Sequence, residues 1–324
     1  MPRFGKAGQI VPNVVPTQIG SGLIAKANPT ALTNPNFPLR GDVIAFLGEF
    51  VGMIIFIFLA LAGVQITLIS PSGNGNLVPT LMGPSYDQIQ SIAFCFGTAI
   101  TVSLFFCAPI SGGCLNPAVV VALLMTGNLP FFRAFLLLLA ELGGSIIGAY
   151  FANWVTSGVL LGVNKVAPGY NNAQATFAEA LLTCCLCLTV LFIIIEKNTL
   201  VTFTPFVVGT VIFMCHLIGT HIDGTSINPA RSFGPAVVTG EWTSQHWIFW
   251  VGPITGALFA VIIYVMFKSL RYEVQSDFER DQLTGTVEGG MKDEKDRPSG
   301  DCGQKMAGGP GTGADNEMNG VVVE

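Results

Sequence analysis

The sequence predicts an all-α membrane protein in which six transmembrane helices and two re-entrant half-helices form two inverted three-helix repeats. Three observations predict it. Hydrophobic residues make up 51% of the 324 positions and charged residues only 11%, where a soluble domain carries about a quarter charged. Six apolar segments, near 43–69, 88–108, 131–156, 177–196, 201–220 and 246–268, are long enough to cross a bilayer, which takes about 20 residues. Two shorter apolar pieces, 116–126 and 228–238, reach only halfway and follow the second and fifth spans.

In chain order, residues 1–41 carry Pro at 2, 12, 16, 29, 35 and 38, which argues against a long helix. They read as a cytoplasmic leader without the compact apolar core of a cleavable signal, so the first span serves as its own insertion signal. Residues 42–158 and 174–270 are expected to form the two repeats, and 70–87 a turn-rich external loop. The Gly-rich, charged stretch 271–324 is expected to be a disordered cytoplasmic tail. An even number of spans puts both termini on one side. Arg40, Arg133, Lys197, Lys268 and Arg271 share that side and Lys165 faces the other, so the termini are placed in the cytoplasm.

The half-length pieces both open with Asn-Pro-Ala: Asn116, Pro117, Ala118 and Asn228, Pro229, Ala230. Asn is a favoured N-cap, and Pro at the first helical position forfeits no hydrogen bond. The two Asn are 112 positions apart (228 − 116), and Glu49 of the first span has a counterpart in Glu179 of the fourth. Three spans per half force the halves into opposite orientations, a plan that puts a binding or conducting site near the midplane. There two positive helix ends would oppose cations, a proton included, and the Asn amides would donate to water.

The approaches "SGGCL" and "DGTSI" cannot be helical up to the cap. Their carbonyls are tolerated at this depth only when they are buried or line a wet cavity. Gly112, Gly113 and Cys114, then Gly224, Thr225 and Ser226, are thus expected to form a ladder of pore carbonyls. Glu49 and Glu179 are expected to accept from the unpaired N–H groups of these loops. Glu141 is left facing a helix interface, and His221 and Asp223 shape the approach loop. Arg231 is a functional-site candidate because a charge at membrane depth costs at least about 2.5 kcal/mol.

Other classes are excluded. No Gly-rich phosphate loop, nucleophile elbow or metal set is present, so the chain is not read as an enzyme and no cofactor is expected. The net charge of −5 and the lack of a basic patch exclude nucleic acid. Cys184, Cys185 and Cys187 are read as small packing residues, and no disulfide framework is evident.

The duplicated Asn-Pro-Ala, "INPARSFGPAVV" and "HWIFWVGPITGALFA" resemble the aquaporin (major intrinsic protein) family over roughly residues 42–268. The long leader and tail are similar to those of fungal members. The resemblance implies an hourglass fold and a homotetramer in the plasma membrane with one pore per subunit. Each pore would pass water in single file down osmotic gradients while excluding protons and ions. It assigns an aromatic/arginine selectivity filter to Phe96, His216, Thr225 and Arg231. His216, Ser232 after the arginine, and Phe249 with Trp250 favour the water branch over glycerol channels. Thr225 stands where many relatives have Cys, so mercury block by that route is not expected; Cys114 puts a thiol where His is frequent. The alternatives are a channel for glycerol or hydrogen peroxide and, in another class, a proton-coupled transporter.

Overall fold

The computed structural model describes residues 40–71, 77–79, 84–156, 158–196 and 202–272. Most of the expected leader and tail, and Lys197, lie outside the described residues. The elements are α1 (Arg40–Leu68), β1 (Ile69–Pro71), β2 (Leu77–Pro79), α2 (Tyr86–Ser111), α3 (Pro117–Met125) and α4 (Phe131–Thr156). They continue with α5 (Asn172–Val190), a π-helical turn (Leu191–Ile195), α6 (Thr204–Asp223), α7 (Pro229–Thr239) and α8 (Ile248–Ser269). Among the described residues, six helices are long and apolar enough to span a membrane: α1, α2, α4, α5 with its π turn, α6 and α8. The architecture is the all-α, six-span plan that composition predicts.

Local chemistry sets the boundaries. Ser85 and Gln88 form a reciprocal capping box that starts α2. Asn171 and Gln174 do the same for α5, which begins five residues before the expected 177 because a polar first turn is invisible to hydropathy. Where only a loop was expected, Ile69–Pro71 and Leu77–Pro79 pair antiparallel, with Ser70 opposite Val78.

Helix α1 packs against α2 and α4, α5 against α6 and α8, and α2 against α6 joins the halves. Glycines set the closest approaches, since small residues let backbones meet where lipid offers no hydrophobic drive. A Cβ on Gly144 or Gly148 would strike the Phe50 or Ile54 carbonyl of α1, and one on Gly256 would strike the Ala180 carbonyl of α5. Gly144 and Gly256 are themselves 112 positions apart (256 − 144), so the repeat is a packing repeat too. Gly148→Val is expected to destabilise the bundle by about 1–3 kcal/mol through overpacking, which thermal unfolding in detergent would register as a lowered Tm.

Large apolar side chains point outward all round, among them Phe94, Phe105, Phe135, Trp154, Phe206 and Ile262. The polar residues turn inward instead: Glu49, Glu141, Glu179, His216 and Arg231 are buried. That inversion suits a bilayer on the outside and a wet path within.

Candidate functional site: the meeting of two half-helices

Helices α3 and α7 begin where their sequences dictate. Asn116 Oδ1 accepts from the Ala118 N–H at 2.8 Å, and Asn228 Oδ1 accepts from the Ala230 N–H at 3.0 Å and the Arg231 N–H at 3.3 Å. The side-chain amides then reach across: Asn116 Nδ2 donates to the Ile227 carbonyl at 2.8 Å, and Asn228 Nδ2 to the Leu115 carbonyl at 2.7 Å. One hydrogen of each amide is used across the junction and the other remains for a water. Pro117, Ala118, Pro229 and Ala230 are buried behind the two Asn.

The approach loops match residue for residue. Gly112 and Gly224 cap α2 and α6 in the left-handed region, and the pairs Gly113–Thr225 and Leu115–Ile227 also have positive φ. Carboxylates take up the N–H groups this geometry strands. Glu49 accepts from Cys114 N at 2.9 Å and Leu115 N at 2.7 Å. Glu179 accepts from Ser226 N at 2.6 Å and Ile227 N at 2.5 Å.

Glu141 corrects the sequence reading. It is not merely an interface residue: Oε1 accepts the Asn116 N–H at 2.8 Å, so it holds the first motif itself. The available signal was a third intramembrane carboxylate. It lacked a partner in the repeat because the position 112 residues on is Pro253, which offers no acceptor.

The imidazole of His216 stacks on Phe96, with centroids 3.9 Å apart and planes 19° from parallel. The Arg231 guanidinium carbon lies 4.7 Å from the Phe96 centroid. Arg231 is held by the Gly162 carbonyl at Nη1 (2.7 Å) and the Gly224 carbonyl at Nη2 (3.4 Å). His216 Nδ1 lies 2.9 Å from the Ile212 carbonyl, which can only accept, so Nδ1 carries the proton and Nε2 is a free acceptor in the neutral ring. His216 Nε2 and Arg231 Nε have no protein partner among the described residues.

Two cavities meet at this cluster. The inner one, about 40 Å³, is lined by apolar Ile100, Leu104, Leu186 and Val190 and by Gly112, Gly113, Cys114, Asn116, Ser226 and Asn228 of the approach loops and caps. A water centre needs about 10–15 Å³, so it holds a few waters. The outer one, about 470 Å³, includes Gly224. Phe96 and His216 border the inner cavity, and Arg231 borders both. Thr225, expected in the filter and the carbonyl ladder, is buried between Gly224, which lines the outer cavity, and Ser226, which lines the inner one.

A bundle of membrane-spanning helices whose two half-helices meet end to end beside a buried cavity defines a membrane channel. Comparison with known proteins agrees. The Major intrinsic protein family profile matches residues 40–264. Aquaporin-7 of Botryotinia fuckeliana (strain B05.10) is 37% identical over 235 residues, covering 72% of this chain and 51% of that protein. The chain thus spans about half the length of that relative. Aquaporin-1 of Gibberella zeae is 36% identical over 246 residues, 75% of each chain. The aquaglyceroporin from Plasmodium falciparum shares the fold, with a TM-score of 0.58 at 20% identity, covering 70% of this chain and 95% of that one. The chain belongs to the major intrinsic protein family, a family of membrane channels rather than of enzymes.

Proposed function

We propose that this protein is a water-selective channel, with Phe96, His216, Thr225 and Arg231 as its filter. The observation that carries the reading is the junction of the cavities. An aromatic stack and a guanidinium held on two sides leave two unpaired polar atoms, His216 Nε2 and Arg231 Nε, as partners for a permeant molecule. One acceptor and one donor beside an apolar wall suit a single water. The two Asn-capped helix ends add a positive field that opposes protons and other cations.

A proton-coupled transporter is the weaker reading. Glu49 and Glu179 each have both oxygens engaged by backbone N–H groups, which fits anchoring. Family membership supports a homotetramer, one pore per subunit. The boundary charges support cytoplasmic termini, and the plasma membrane is the expected site. We propose that the two repeats occupy 42–158 and 174–270.

Stopped-flow light scattering on proteoliposomes tests the proposal. Fast shrinkage in an impermeant osmolyte, with low activation energy, no coupling to a pH gradient and no protein-dependent glycerol uptake, is expected. Rapid glycerol uptake would overturn it. Cys114, which lines the narrow inner cavity, makes a further prediction: mercuric ion should slow water flux several-fold, and Cys114→Ser should abolish that sensitivity.

A further inference from the structure

Gln65 is a polar residue inside the first span, 1% exposed and one turn from the outer end of α1. It borders neither cavity. The matching position in the repeat lies 130 further on, as Glu179 follows Glu49 (179 − 49), and carries Ile195. A buried amide needs partners for its donor and its acceptor, and here the second half has no counterpart.

The partners lie in the connection between α4 and α5. Gln65 Nε2 donates to the Val159 carbonyl at 3.0 Å, and Gln65 Oε1 accepts the Leu161 N–H at 2.8 Å. The side-chain amide thus stands in for one peptide group of a neighbouring strand. Leu160, between the two, is buried in the main apolar core with Leu61 and Val64. Leu61 lies one turn before Gln65 on the same face of α1, and a Cβ on Gly162 would strike its Cδ2. Residues 159–162 are therefore laid in register along α1.

That register bears on Arg231. The Gly162 carbonyl accepts from Arg231 Nη1 at 2.7 Å, against 3.4 Å for the Gly224 carbonyl at Nη2, so Gly162 supplies the firmer hold. Asn164 ties the far end of the segment to the second half: Nδ2 donates to the Asp223 carbonyl at 3.1 Å, and Oδ1 accepts from the Ser232 hydroxyl at 2.8 Å. Helix α1 also braces Phe96, since Phe56 meets that ring edge to face with centroids 6.2 Å apart. One helix thereby locates both the ring under the guanidinium and the carbonyl that holds it.

We infer that Gln65 is a positioning residue for selectivity: it fixes residues 159–161 on α1 so that the Gly162 carbonyl holds the Arg231 guanidinium over Phe96. The inference rests on reading that constriction as the permeation filter. Without the amide the segment loses its register, the Gly162 carbonyl moves, and Arg231 gains freedom to swing aside for a larger solute.

Two readouts on the full chain test this. Gln65→Met keeps the length and packing of the side chain but removes both hydrogen bonds. Amide hydrogen exchange in the peptide covering 158–165 should be at least about fivefold faster in that variant. In proteoliposomes its glycerol-to-water permeability ratio should rise at least about threefold. In Arg231→Val protein, adding Gln65→Met should leave the ratio where Arg231→Val alone puts it, because the group being positioned is gone. Gln65→Asn keeps the amide but withdraws it by one methylene, so both readouts should shift the same way by less. Exchange or selectivity equal to the parent's in both variants would overturn the inference, as would a ratio that Gln65→Met still raises in Arg231→Val protein. If the parent carries no water, the proposed function fails while the exchange rates still decide whether Gln65 seats the segment.

Discussion

Arg231→Val is expected to raise glycerol permeability relative to water at least about tenfold, which corresponds to ~1.4 kcal/mol of barrier. The guanidinium is pinned by the Gly162 and Gly224 carbonyls and lies over the Phe96 ring, so it has no free rotation by which a bulkier solute could push past. Valine removes several heavy atoms from the place where the two cavities meet. It also leaves the two carbonyls without their cation, so monovalent cation leak should rise as well. Arg231→Lys is expected to fall between, because a point charge cannot serve both carbonyls in the fixed geometry of a guanidinium fork. Stopped-flow measurements with glycerol and a cation-flux assay on the same vesicles supply the check. Selectivity equal to the parent's would move the filter away from Arg231.

Glu179→Leu is expected to prevent accumulation of folded channel. It strips the partners from the Ser226 and Ile227 N–H groups in a segment that is buried. Each orphaned group costs about 1–3 kcal/mol, and two together consume a large part of a typical stability of about 5–15 kcal/mol. Glu179→Gln keeps one acceptor oxygen but turns an amide NH₂ toward a backbone donor, so a partial loss is expected. Glu141→Leu should be milder than Glu179→Leu, since only the Asn116 N–H loses its acceptor. Detergent-solubilised yield and thermal unfolding would rank the three. Glu179→Leu protein that unfolds at the parent's temperature would refute the anchoring role.

The features legible in the sequence were those that recur. Asn116 with Asn228 and Glu49 with Glu179 each appear twice, and helix-start chemistry supplies the reason for the first pair. Glu141 escaped because its counterpart, Pro253, has no acceptor. The amide bridges from Asn116 to Ile227 and from Asn228 to Leu115 span more than a hundred residues, and no local pattern announces them. The paired strands Ile69–Pro71 and Leu77–Pro79 are three residues each and both end in Pro, so alternation gives them no signal.

Those amide bridges also order the making of the protein. Synthesis delivers α1 to α4 first, and at that stage Leu115 has no Asn228 to bond and Asn116 has no Ile227 carbonyl. Glu49 and Glu141 can already hold the N–H groups of the first loop, but its cross-half bonds wait until the last three spans arrive. Each half is the other's missing hydrogen-bonding partner, so the water path is completed only when the nascent chain closes on itself.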